Sequence, residues 1–264
     1  VHTLTPAPTP TSSSSTATAS STTSTSSTTS STGNTTGSTS STPTTSSSST
    51  ILANPDYTSY NWAGYMANST TYTAIRGSWI VPNPTGNSTA TTADATWIGI
   101  GGISTSDLIQ VGSEDTVSAA GAVSSAVFYE LLPASPVYPT TIAISPGDVL
   151  TASITEQTTG TWVITITDST NSQSFTTTVS YPSKNNSAEW IEEDPSYANG
   201  SLVPFDNFGT VNFSGASATT PSGSQTISAV HGSSIAMVTQ SGTTLAGPTA
   251  LGSDGASFSV IRQP

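Results

Sequence analysis

The chain has 264 residues, three Lys or Arg against fifteen Asp or Glu, a formal net charge of -12 and no Cys. With no basic patch to displace counterions from a phosphate backbone, nucleic-acid binding is excluded. The missing Cys removes thiolate nucleophiles, Cys-based metal sites and disulfides, and no apolar run approaches the ~20 residues of a helical membrane span.

Residues 1–50 hold 37 Ser or Thr, 4 Pro and 5 apolar residues, with no Asp, Glu, Lys or Arg. So few apolar side chains cannot offset the entropy of ordering the backbone. This segment therefore reads as a disordered Ser/Thr-rich tail or stalk, open to O-glycosylation. Residues 51–264 carry the apolar content of one globular domain. Six N-x-S/T sequons (Asn34, Asn68, Asn87, Asn185, Asn199 and Asn212) fit a secreted, extracellular glycoprotein, with the tail as a means of surface association.

Within the domain, apolar and polar residues alternate over short stretches. They run SWIVP at 78–82, TWIGIGG at 96–102, VFYELL at 127–132, TIAIS at 141–145, DVLTASITEQ at 148–157, WVITITDS at 162–169 and SFTTTVSY at 174–181. VNF, TISAVH, SIAMVT and SFSVIR follow later in the chain. Period-two alternation, heavy Thr, Val and Ile usage and frequent Gly, Pro, Asn or Ser breaks predict antiparallel strands. The segments at 148–157 and 162–169 read as a hairpin turning through Thr158, Thr159 and Gly160. With about a dozen strands and no helical stripe, the predicted architecture is all-β, a two-sheet antiparallel sandwich.

Chemistry-bearing residues are scarce. His2 falls in the tail, so a Ser-His-Asp arrangement would depend on His231, and no G-x-S-x-G elbow accompanies it. HExxH and EF-hand patterns are absent, so no metal or cofactor is expected. The charges that exist are concentrated in SAEWIEEDPS, residues 187–196, with Glu189, Glu192, Glu193 and Asp194. Such a run serves either as a charged edge that resists strand pairing or as the source of a carboxylate tuned for acid-base work.

That segment resembles the AEWIxED-type signature of the glutamic peptidases, or eqolisins, and further similarities follow in chain order. SYNWAGY at 59–65 resembles the opening NW-G segment of that family. TWIGIGG with DLIQVGS at 107–113 resembles its W-x-G-I and ILQ-x-G pair. VFYELLP at 127–133, ISPGDVL at 144–150 and LVPFDNFGTVNF at 202–213 resemble W-Y-E-x-x-P, I-S-x-G-D and the V-P-F segment. The resemblance implies a concanavalin A-like sandwich of the lectin/glucanase type and an acid-acting endopeptidase with a Gln/Glu catalytic dyad. It places the dyad on Gln110 and Glu193, and active-site or substrate-binding roles on Trp97 and Glu130. Strand alternation turns Glu189, Ile191 and Glu193 to one face and Trp190 and Glu192 to the other, so Glu192 and Glu193 cannot share a cleft.

The chemistry is consistent with the residue types. A carboxyl can take a proton from water and return it to the leaving amine, and an uncharged side-chain amide can donate to a developing oxyanion at any pH. The expected partners are polypeptide substrates, and the chain is expected to be a monomer. Two alternatives remain at this point. One is a non-catalytic adhesin or carbohydrate-binding module on a stalk. The other is a paired-carboxylate glycoside hydrolase, for which only Glu192 and Asp194 have strand spacing near the required separation.

Overall fold

The computed structural model describes residues 52–264 and the backbone of a two-residue strand, Thr5–Pro6. The other tail residues, and the expectations that concern them, lie outside the described residues.

The strands are β1 (Thr5–Pro6), β2 (Tyr57–Ser59), β3 (Trp62–Ala67), β4 (Ala74–Ile80), β5 (Thr92–Gly101), β6 (Leu108–Val117), β7 (Val123–Leu131) and β8 (Val149–Thr158). They continue with β9 (Thr161–Asp168), β10 (Gln173–Ser180), β11 (Ala188–Glu193), β12 (Thr210–Thr220), β13 (Gly223–Thr226), β14 (Ser233–Val238), β15 (Thr244–Pro248) and β16 (Phe258–Arg262). No helix occurs among the described residues, and the all-β expectation holds.

An unbroken hydrogen-bonded path runs β10-β9-β8-β4-β12-β16-β15-β14-β3-β11-β5-β6-β7. It folds back so that β4 packs over β5, and β8 and β9 over β6. The two leaves of the sandwich are thus joined along one side through β16, β15 and β14. All named pairings are antiparallel except β14 with β2. Between the leaves lies a core that includes Trp79, Trp162, Trp190, Ile98, Ile154, Ile164 and Phe213. Each of the three indoles is hydrogen-bonded, Trp79 to Ser113 Oγ at 3.0 Å, Trp162 to Tyr181 O at 3.0 Å and Trp190 to Arg76 O at 2.9 Å. Burial therefore leaves none of these N–H groups unpaired.

The alternation at 148–169 forms the predicted hairpin of β8 and β9, with Gly160 taking a left-handed φ of 73° in the turn. Hydroxyl pairs line the exposed side of this leaf: Thr165 with Thr176 (3.1 Å), Thr167 with Ser174 (3.0 Å) and Ser78 with Thr151 (2.7 Å).

Two predicted strands are not strands. In TIAIS, Ile142 and Ile144 are buried as the alternation requires. Their segment nevertheless bonds a side chain in place of a neighbouring strand, because Gln173 reaches the Ala143 N–H and carbonyl through its amide. TISAVH leaves β13 and coils. Ile227 and Val230, three residues apart, are both buried, with Val230 N bonded to Thr226 O. His231 ends this turn exposed, at a left-handed φ of 55°.

Candidate active site

The site lies on the face of β3, β11, β5, β6 and β7 that points away from the inter-leaf core. A second apolar cluster covers that face: Trp62, Met66, Ala95, Trp97, Leu108, Phe128, Ile191 and Ile235. Glycine makes room for the largest of these side chains. A Cβ at Gly112, which pairs with Trp97, would stand 2.2 Å from Thr96 O and 2.5 Å from Trp97 Cβ. A Cβ at Gly99 would meet the far edge of the Trp97 ring at 2.8 Å. Trp97 is thus seated in a slot that glycine alone leaves open.

Next to this cluster opens a cleft of about 540 Å³. Its floor includes Ala95, Gln110, Glu114, Glu130 and Glu193, and its walls are the segments 132–138 and 195–198. The second wall is pinned as a small loop by the Ser196–Leu202 bridge and the Tyr197 N–H on Ser201 O at 2.8 Å. Register places the acids. Glu193 of β11 pairs with Ala95, which pairs in turn with Glu114 of β6. Gln110 pairs with Gly99 on one side and Glu130 of β7 on the other. Glu193, Glu114, Gln110 and Glu130 therefore stand on one face of the sheet, with the Trp97 indole of β5 beside Glu193.

Glu193 accepts two N–H bonds, Asn61 Nδ2 on Oε1 at 3.0 Å and Trp97 Nε1 on Oε2 at 2.7 Å. Burial pushes its carboxyl up to about 8. The N–H groups of Trp97 and Trp62 oppose that rise, and the nearby Glu130 and Asp194 add to it. Gln110 donates its Nε2–H to Glu130 Oε2 at 2.5 Å, while its own Oε1 is buried with no hydrogen-bond partner. Burial raises the Glu130 pKa, the Gln110 amide lowers it, and Glu114 raises it further. Glu114 is itself raised by burial and accepts the Tyr138 hydroxyl at 2.8 Å.

The structure therefore brings Gln110, Glu130 and Glu193 into one cleft. Trp97, expected to have an active-site or substrate-binding role, is 0% exposed, packs edge-on against Trp62 with ring centroids 5.0 Å apart, and donates its N–H to Glu193. Bulk drives the ring into the slot over Gly112, so what remains for the site is its hydrogen bond. Sequence reasoning missed Asn61. It stands in the SYNWAGY segment, but only the three-dimensional meeting of β3 with β11 reveals its partner. Glu189, on the same face as Glu193, is fully buried away from the cleft lining.

Glu192 points the opposite way, into the interior, where Thr96 Oγ1 donates to its Oε2 at 2.6 Å. Glu192 with Asp194 was the one pairing suited to a glycosidase, and neither residue lines the cleft. Among the described residues no group of three or more acids or histidines is arranged to hold a metal, and no helix is long and apolar enough to cross a membrane.

A model of the Peptidase A4 family matches residues 60–260. The chain belongs to the Peptidase A4 family. Aspergillopepsin-2 of Aspergillus niger is 29% identical over 197 residues, covering 66% of this chain and 68% of that protein. Among solved structures, the aspergilloglutamic peptidase from Aspergillus niger is 26% identical, covering 65% of this chain and 99% of its own, with a TM-score of 0.58. Scytalido-glutamic peptidase, solved with a transition state analog inhibitor, shares the fold at 21% identity and a TM-score of 0.66, covering 77% of this chain and 98% of its own. The resemblance to glutamic peptidases is borne out, and the chain is a peptidase, a hydrolase of the eqolisin kind.

Proposed function

We propose that the chain is an acid-acting endopeptidase in which Glu193 and Gln110 form the catalytic dyad. The observation that supports this reading best is their convergence on one cleft, with Glu193 gripped by Asn61 and Trp97 and Gln110 tethered to Glu130.

Burial keeps Glu193 protonated in acid, and a protonated carboxyl is bifunctional. As water attacks the scissile carbon, one Glu193 oxygen accepts a water proton. The other oxygen gives its own proton to the leaving nitrogen as the C–N bond breaks. The carboxyl ends the cycle protonated, and the products are a carboxylic acid and an amine. The Gln110 amide turns an N–H toward the developing oxyanion; a preorganised donor of this kind contributes roughly 10²- to 10³-fold in turnover. Glu130 is a positioning residue, holding the Gln110 side chain by its amide.

The substrate is an extended polypeptide laid between the 132–138 and 195–198 walls. Tyr138 and Tyr197, 43% and 50% exposed, offer it apolar contact. The enzyme acts as a secreted monomer, and the exposed sequon residues Asn68, Asn87, Asn199 and Asn212 suit that setting. Incubation with denatured casein at acid pH tests the reading. New amino termini should appear with the native chain and be absent with Glu193→Gln; equal hydrolysis by both would refute the assignment.

A further inference from the structure

Behind the cleft, on the inner face of the same strands, four acids meet that the proposed reaction does not use. Asp94 of β5 pairs in register with Asp115 of β6, and Glu192 of β11 pairs with Thr96, two residues along β5 from Asp94. Asp206, on the segment between β11 and β12, joins them. Asp94, Asp115 and Glu192 are 0% exposed and Asp206 is 2% exposed. The hydroxyl donors that reach the group are Thr96 on Glu192 Oε2 and Ser125 on Asp115 Oδ1. Both oxygens of Asp94 and Asp206, Oδ2 of Asp115 and Oε1 of Glu192 have no other hydrogen-bond partner. The carboxyls approach one another closely enough for Asp94 to act as hydrogen-bond partner to both Glu192 and Asp206.

The charged groups facing this cluster are few. Glu114 and Asp194 add negative charge, and Arg262 of β16 is the cation that bears on Asp206 and Asp194. Arg262 directs its Nε to the Asp206 backbone carbonyl, at 3.0 Å, and its Nη1 to the carbonyls of Leu245 and Gln263. One guanidinium cannot balance four buried carboxylates, and an uncompensated buried charge is far costlier than a hydrogen-bonded neutral acid. Carboxyls sharing protons satisfy the same oxygens at no charge.

We propose that Asp94, Asp115, Glu192 and Asp206 form a proton-held brace that clamps β5, β6 and β11 together behind the cleft and so positions Glu193. Glu192 adjoins Glu193 on β11, and Asp94 adjoins Ala95, the register partner of Glu193. Loss of the shared protons puts like charges between the strands at that point and parts them, dispersing the site. Burial raises all four groups, Asp115 and Asp206 to about 7, so the brace releases near neutrality. The upper pH limit of the enzyme is then set by groups that never touch substrate. The inference rests on the proposed dyad for its link to activity, but not for its link to stability.

The test replaces protonated acids by amides, which keep the shape and cannot ionise. Asp94→Asn, Asp206→Asn and the pair Asp94→Asn with Glu192→Gln are melted and assayed from pH 3 to 8 in the full chain. The expected result is that the pH at which half of the fold is lost moves up by about one unit or more, with activity at pH 3 kept within about ten-fold. No upward movement in any folded variant overturns the brace. Should every variant fail to fold, carboxyl ¹³C resonances of the native chain decide: those of Asp94 and Glu192 should not titrate between pH 3 and 6, and titration near 4 overturns it. Calcium chloride at pH 7 should not restore the native fold; restoration would mean that the cluster takes a cation instead of protons. If the stability shift appears but no form of the chain, the native one included, cuts casein, the dyad is refuted and the brace stands.

Discussion

The two faces of β11 show how one strand keeps acids in two states of use. On the cleft side, Glu193 meets N–H donors, from Asn61 at 3.0 Å and Trp97 at 2.7 Å, which can serve it whether it carries a proton or not. One residue earlier, on the inner side, Glu192 meets a threonine hydroxyl and other acids, and burial among them favours its protonated form. On the proposed reading, the same residue type is reactive on one face and structural on the other. The period-two pleat is what keeps the two environments apart.

The sharpest way to break this comparison is to exchange the faces. Glu193→Gln and Gln110→Ala should each lower turnover by at least ~10² to 10³, about 3 to 4 kcal/mol of transition-state stabilisation, with the far-UV CD spectrum unchanged. Glu192→Gln should retain most activity at pH 3. If casein assays show the reverse, the two glutamates have been given each other's roles.

Acidity separates the faces next. In the unfolded chain Asp and Glu lose protons near pH 4, whereas burial holds the folded-state values of Asp115, Asp194 and Asp206 at about 7. Between those limits the folded state binds more protons, so stability falls as pH rises, by about 1.4 kcal/mol per pH unit for each excess proton. Melting temperatures should therefore be highest from pH 2 to 4 and drop steeply toward pH 7. A maximum at pH 7 would contradict the sign.

Trp97→Phe sharpens the cleft side alone. It keeps most of the ring in its slot but removes the donor to Glu193, so it should cost about 1.5 to 3 kcal/mol and raise the pH at which Glu193 titrates. An unmoved ¹³C titration of the Glu193 carboxyl would show that this hydrogen bond does not tune the acid. The smallest effect belongs to the tail. A chain beginning at Ile51 should fold and cut casein with the same specific activity, since residues 1–50 supply no dyad member and almost no apolar surface.

Much of this was legible in the residues themselves. Alternation located β8, β9 and β10 and assigned Glu192 and Glu193 to opposite faces before any partner was known. It failed at TIAIS and TISAVH because burial every second or third residue records which side chains are covered, not which group satisfies the backbone. At Ala143 that group is the Gln173 amide. Ordered motifs brought Gln110, Glu130 and Glu193 together, yet they did not show Trp97 as fully covered, since its depth depends on Gly112 of the next strand. The inner acids were invisible for a related reason. Asp94, Asp115 and Asp206 are scattered along the sequence, and only strand register and a return loop gather them.

The hydroxyl pairs on the β8–β10 leaf carry a consequence for life in acid. A surface that stays dissolved through ionised carboxylates would lose both its hydration and its mutual repulsion once those groups took up protons. Thr165, Thr167, Ser174 and Thr176 do not titrate, so this leaf presents the same face to water at pH 2 as at pH 7. Colloidal stability on that side is decoupled from proton concentration, and the acids are left free for tasks that depend on it.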